Sequence, residues 1–136
     1  MWKSEPIDKK QMDADGKYGE EQARLFLKKR GFWLGQLDWC GIKDNKTVIF
    51  EIKYKKKFQP PPFIGHGLEI SQIENRMKIY ELTGIPTLLM VLDKEENVFY
   101  MGYIHELEKA DSKDKHDTPK RIRIYKLELF DRRINS

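Results

Sequence analysis

The chain has one cysteine, Cys40, which excludes an internal disulfide and is consistent with a reducing compartment. Cys40 lies beside Trp39 and reads as a small core residue. No apolar run approaches the roughly 18 residues that a membrane-spanning helix requires. The opening stretch, MWKSEPIDKKQMDADGK, is too polar for a signal peptide. The expectation is a soluble, cytoplasmic protein (host-cell cytoplasm if its genome is viral) with no membrane partner. Glycine-rich phosphate loops and nucleophile elbows are missing as well. His66, His105 and His116 show no metal-ligand spacing with Cys40, which argues against a zinc site. His66, in a proline- and glycine-rich stretch, reads as a solvated loop histidine.

What is present is charge. Of 136 residues, 39% are hydrophobic and 35% charged, which suits one domain with a large solvated surface. The net charge of +4 hides local asymmetry. Basic residues crowd into 53–57 and again into 120–133, where Lys120, Arg121, Arg123, Lys126, Arg132 and Arg133 face only Glu128 and Asp131. Such patches suit a polyanion, because neutralising phosphates releases condensed counterions. The alternative is that they only solvate a surface.

Residues 1–16 carry no periodicity and read as a loose arm, leaving 17–136 as the domain. YGEEQARLFLKKRGF reads as a helix ending before Gly31, with Ala23, Phe26 and Leu27 on one face. Glu20 falls at the edge of that face and Glu21 on the wet side. Residues 32–42 read as extended chain, KDNK (43–46) as a hairpin turn, and Thr47–Lys53 as a central strand. In that strand Val48, Phe50 and Ile52 share a face. QPPPFIGHG (59–67) reads as a loop able to close over a groove. In SQIENRMKIYELTGIP, Ser71 and Glu74 form a capping box, Ile73, Met77 and Tyr80 a buried stripe, and Gly84 a stop. TLLMVLD (87–93) reads as a buried strand paired with 97–107 through the DKEEN turn. A polar loop, 108–119, leads to an extended segment around Ile122–Leu129. This order makes an α/β domain with helices covering a mixed sheet.

The chemistry-bearing stretch is VIFEIKYKKK, Val48–Lys57. Glu51 and Lys53 point the same way from the strand, and Asp38, on the other arm of the hairpin, can sit beside Glu51 across the ladder. Two such carboxylates repel unless a cation joins them, and Mg²⁺ suits an oxygen site of this kind. Lys53 could then orient a water or stabilise charge on a phosphate. Lys55, Lys56 and Lys57 begin where the strand ends and suit backbone tracking along a nucleic acid. The plainer alternative is a strand that surfaces at Glu51 and runs into a lysine-rich edge. Phe58, Phe63 and Trp39 could stack on bases, or could be ordinary packing.

These residues resemble the PD-(D/E)xK nuclease superfamily, and in particular the small archaeal Holliday-junction resolvases and their bacterial relatives. The likeness runs from about Tyr18 to Ile104: GEEQARLFLKKRGF for the first helix with its glutamate, GQLDW with Asp38, then Glu51-Ile52-Lys53. It implies a single restriction-endonuclease-like domain with an α-β-β-β-α-β core. It also implies Asp38, Glu51 and the Ile52 carbonyl as ligands of Mg²⁺ or Mn²⁺, with Glu20 binding directly or through water. Lys53 would position the attacking water. The sequence departs from the family at Leu37, which precedes Asp38 in place of proline. It departs again at Arg76, which stands where RecB-like members carry the tyrosine of Q-x-x-x-Y after Gln72; Tyr80 comes one turn later. Gln72 is then either a catalytic residue orienting water or substrate, or an ordinary first-turn residue.

The expectation is a metal-dependent deoxyribonuclease, a hydrolase of phosphodiester bonds in duplex, branched or recombination-type DNA. Lys55, Lys56, Lys57, Arg121 and Arg123 would contact DNA, and homodimerisation is implied by the resemblance alone. Two rivals stand beside it: a catalytically silent nucleic-acid-binding module of the same fold, and a basic interaction protein meeting an acidic partner.

Overall fold

The structure, a computed structural model, describes residues 9–34, 40–115 and 120–136. Its elements in chain order are α1 (Lys9–Lys29), β1 (Trp33–Leu34), β2 (Cys40–Lys43), β3 (Lys46–Lys55), β4 (Gly65–Glu69) and α2 (Ile70–Thr83). There follow β5 (Thr87–Asp93), β6 (Val98–Tyr103), α3 (Ile104–Leu107), β7 (Ser112–Lys115), β8 (Ile122–Lys126) and β9 (Asp131–Ile134). The protein is an α/β fold with one mixed six-stranded sheet, ordered β1-β2-β3-β5-β6-β9, and a second sheet ordered β4-β8-β7. In the large sheet β3 and β5 run parallel, since β4 and α2 form the crossover between them.

Side-chain alternation sorts the strands onto two cores. Phe50, Met90, Leu92 and Phe99 face α1, where Ala23, Phe26 and Leu27 are all buried. Burying a side chain the size of Phe26 stabilises by about 2–3 kcal/mol. Leu89, Val91 and Tyr100 point the other way, onto Leu68 of β4, Ile73 of α2, Ile104 and Leu107 of α3 and Tyr125 of β8. Among the described residues, no helix is long and apolar enough to cross a membrane.

Several elements agree with the sequence reading for local reasons. Asp44 and Asn45 both have positive φ (52° and 63°), the primed turn that a two-residue hairpin requires. α2 ends at Gly84, left-handed at φ 76°, whose N–H bonds back to Tyr80 O.

Others differ. α1 begins at Lys9, so residues 9–16 are helical rather than part of an arm. The segment 59–67 runs into β4, and β4 pairs with β8 because Gly67 has no Cβ: one placed there would lie 2.1 Å from Arg123 O. The stretch 108–119 contains β7, and the extended reading of 97–107 gives way to α3 after Tyr103. The Ser71–Glu74 capping box is not used. α2 starts two residues earlier than that box would set, with Glu69 in place of Ser71 as N-cap and no side-chain cap, because Ile70 N–H donates to Arg121 O at 3.0 Å. A backbone acceptor from Arg121, the residue just before β8, replaces the side-chain cap. Cys40 is half-buried on β2 rather than deep in the core.

Candidate active site

β3 is the frame. Ile52 and Tyr54 turn toward α1, while Glu51 and Lys53 turn toward α2. Glu51 is 9% exposed and meets a cation from α2. Arg76 donates from Nε (2.8 Å) and from a terminal nitrogen, Nη2 (2.5 Å), and both bonds go to Oε1. Among the described residues no hydrogen bond reaches Oε2. Such an ion pair spares the buried carboxylate the cost of standing unpaired.

The second helix runs antiparallel to β3, which follows from the parallel β3–β5 crossover. Arg76 meets Glu51 toward the middle of the helix, and Glu69 interacts electrostatically with Lys55 at its start. Gln72 lies between Glu69 and Arg76, as Lys53 lies between Lys55 and Glu51. Gln72 precedes Arg76 by four residues, about one turn of α2. Its Oε1 is buried and has no partner among the described residues.

Glu20 approaches from the opposite face. α1 packs closely on the end of β3 because Gly19 lies against Tyr54, where a Cβ would come within 2.9 Å of Tyr54 Cβ. That close approach sets the next residue, Glu20, in a cleft of about 630 Å³ whose walls also include Ile52, Lys53, Lys55 and Lys56. Glu20 is half-buried and Glu21 exposed, as the helical phase required. The cleft lies at the carboxyl end of the two parallel strands, where open α/β sheets commonly bind ligands. Lys55 is exposed overall, yet desolvation of its ammonium and then repulsion from Lys53 lower its pKa.

Lys57 lines the same cleft but is engaged elsewhere. Its ammonium lies 2.8 Å from Asp93 and 3.0 Å from Glu96. Burial works against that charge, but the carboxylate hydrogen bonds raise its pKa above the ordinary lysine value. His66 is the clearest departure. It is fully buried, with Nε2 2.9 Å from Asp93 Oδ2, rather than solvated in a loop. Burial lowers its pKa, the Asp93 hydrogen bond opposing in part. Asp93 also accepts the N–H groups of Glu95 and Glu96, which close the turn after β5. Lys57 therefore ties down that turn. Arg123 is likewise occupied, by Asp114 at 2.8 Å and Glu108 at 2.7 Å, whereas Arg121 is exposed and 3.7 Å from Asp114.

Asp38, with Trp39 and His116, lies outside the described residues; the described β2–β3 ladder ends at Cys40↔Ile49. Among the described residues no group of three or more His, Cys, Asp or Glu side chains is placed to hold a metal ion. Glu51 Oε2 and Gln72 Oε1, neither hydrogen-bonded among the described residues, are hard oxygen donors, the ligand type that Mg²⁺ takes. The residue that sequence reasoning missed is Arg76, whose one signal was its place four residues after Gln72 on the same helical face. No family model, no curated protein and no solved structure matches the chain.

Proposed function

We propose that the protein is a metal-dependent deoxyribonuclease with a restriction-endonuclease-like fold, acting on duplex or branched DNA. The observation that carries this reading is the convergence of Glu20 from α1 and Lys53 from β3 on one cleft lined with further lysines. The two stand about 33 positions apart in sequence, on different elements, and each suits the same phosphodiester chemistry. In this reading Asp38, which lies outside the described residues, is carried over from the resemblance alone. Asp38, Glu51 Oε2 and the Ile52 carbonyl would hold Mg²⁺ or Mn²⁺, with Glu20 bound directly or through water. The ion would polarise the scissile phosphate and lower the pKa of a bound water. Lys53 orients the attacking water and meets charge developing on the phosphate. Gln72, whose Oε1 has no partner among the described residues, orients that water or the substrate. Lys55, Lys56 and Arg121 hold the DNA backbone; Lys57 and Arg123 are committed to internal carboxylates.

One observation favours a second reading, a catalytically silent nucleic-acid-binding module. Glu51 already has a cation, Arg76. A panel of labelled duplex, flap and four-way-junction DNAs, incubated with Mg²⁺, Mn²⁺ or EDTA, separates the two. The nuclease reading expects cleavage with either metal, none with EDTA, and none from Asp38→Asn. Salt-dependent binding without cleavage under any condition would establish the silent module.

A further inference from the structure

We infer that the cleft between α1 and the end of β3 holds a single unpaired strand of DNA, its phosphates on Lys55 and Lys56 and one base stacked on Tyr18 beside Tyr54. The inference rests on the part of the proposed function that makes this cleft a DNA site. It narrows the substrate to DNA with unpaired nucleotides, such as a flap or an opened branch, and it involves no metal ion.

Cations and aromatic rings are interleaved where β3 ends. Lys53, Tyr54, Lys55, Lys56 and Phe58 all line the cleft. A single strand needs that mixture, since its phosphates seek charge and its uncovered bases seek a π-face. A duplex keeps its bases stacked on one another and has no use for the rings. The volume, about 630 Å³, is that of a small-molecule site, so it admits about one or two nucleotides and not the breadth of a duplex.

The aromatic surface continues from the cleft wall onto α1. Tyr18 is 41% exposed, and its ring lies 4.9 Å from that of Tyr54, tilted by 49°. Gly19 permits the contact by letting α1 approach Tyr54. Lys94, paired with Asp15, lies 4.9 Å from the Tyr54 ring and braces it further. Tyr18 is thus an exposed ring already held in place, which lowers the ordering cost of stacking a base on it. The lysines divide in a matching way. Lys94 and Lys57 are engaged with carboxylates, whereas Lys53, Lys55 and Lys56 have no ion pair among the described residues.

Fluorescence anisotropy on the full chain in EDTA tests this, with a labelled oligothymidine of about 12 nucleotides against a blunt duplex of equal length. Wild type should bind the oligothymidine at least roughly tenfold more tightly than the duplex, because only the single strand gains the stacking. Tyr18→Ala should weaken oligothymidine binding by roughly tenfold, the scale of one lost base stack, and leave its salt dependence unchanged because no phosphate contact is lost. Tyr18→Phe, which keeps the ring, should stay within about twofold of wild type. Tyr18→Leu keeps apolar packing on Tyr54 without a π-face, and replaces Tyr18→Ala if that variant does not fold. Poly-glutamate, which has charge but no bases, should compete poorly. Unchanged affinity in folded Tyr18→Ala or Tyr18→Leu, a duplex bound as tightly as the oligothymidine, or equal binding of poly-glutamate would overturn the inference. Mg²⁺-dependent cleavage in that case leaves the nuclease reading standing. Tyr18-dependent binding of the single strand without any cleavage upholds the inference and sinks the nuclease reading, and absence of all DNA binding sinks both.

Discussion

Lys57 Nζ lies 2.8 Å from Asp93 Oδ2, and His66 Nε2 lies 2.9 Å from the same oxygen. Two residues that look in sequence like a DNA-binding lysine and a solvated loop histidine thus converge on one fully buried carboxylate at the end of β5. The cluster holds Lys57, alone of its members a lining residue of the cleft, and so divides the cleft's lysines into bound and available.

That division can be measured. Lys53→Ala should lower the single-turnover rate at saturating DNA by roughly a hundredfold, with affinity little changed, since the loss falls on transition-state charge. The double variant Lys55→Ala/Lys56→Ala should weaken binding and make its salt dependence shallower, by about one unit of slope for each phosphate no longer neutralised. Lys57→Ala should behave unlike either. It should cost about 3 kcal/mol of stability in a denaturant melt by leaving Asp93 without its ammonium partner. A Lys57→Ala protein with wild-type stability and weakened DNA binding would return Lys57 to the lysines that hold phosphate.

The two adjacent glutamates give a sharp comparison. Glu20 lines the cleft and Glu21 is exposed on the far side of the helix. Glu20→Gln should lower the cleavage rate by at least roughly tenfold, while Glu21→Gln should lie within about 0.5 kcal/mol of wild type in stability and leave the rate unchanged. Equal losses in rate from both would show that Glu20 acts only through the surface charge of α1.

Stability should depend on pH through His66. Burial holds its folded pKa below the ordinary value of 6.5, so the unfolded chain binds the proton first as pH falls. This contribution is fully present above pH 6.5 and is lost on acidification from there toward the folded pKa, by at most about 1.4 kcal/mol per pH unit for one proton. Asp93 adds in the same direction at lower pH, because the hydrogen bonds from Lys57 and His66 outweigh its burial and lower its pKa. Melting temperatures of wild type and His66→Gln between pH 5 and 8 provide the check. Wild type should lose stability below pH 6.5 more steeply than the variant, and parallel curves would rule out His66 as the source.

Much of the sheet and of α1 was legible because it is written in short periods. Ala23, Phe26 and Leu27 repeat at helical spacing, and Val48, Phe50 and Ile52 alternate at strand spacing. Burial follows such patterns wherever one face has a core to meet. The helical phase that set Glu20 apart from Glu21, and the shared direction of Glu51 and Lys53, are of the same kind. So is the DN turn at Asp44 and Asn45, a preference of the two residues themselves.

The second sheet was not legible. β4 looks like a loop because Gly65, His66 and Gly67 carry no strand pattern, and its partner β8 begins 53 positions after Glu69. Only the close backbone approach that Gly67 permits reveals the pairing. The same approach supplies the acceptor for Ile70 N–H and makes the capping box at Ser71 unnecessary. Pairings across the crossover were hidden for a related reason. Arg76 and Glu51 are 25 positions apart, His66 and Asp93 27, and each meets only after α2 or β4 has packed against the sheet. The sequence by itself determined which residues are charged and which face of its own element each occupies, because those depend on local stereochemistry. Which charges neutralise one another, leaving Lys53 and Lys56 at the cleft while Lys57 and Arg123 are bound, was decided by tertiary structure, because ion pairing depends on distances that only the packed chain sets.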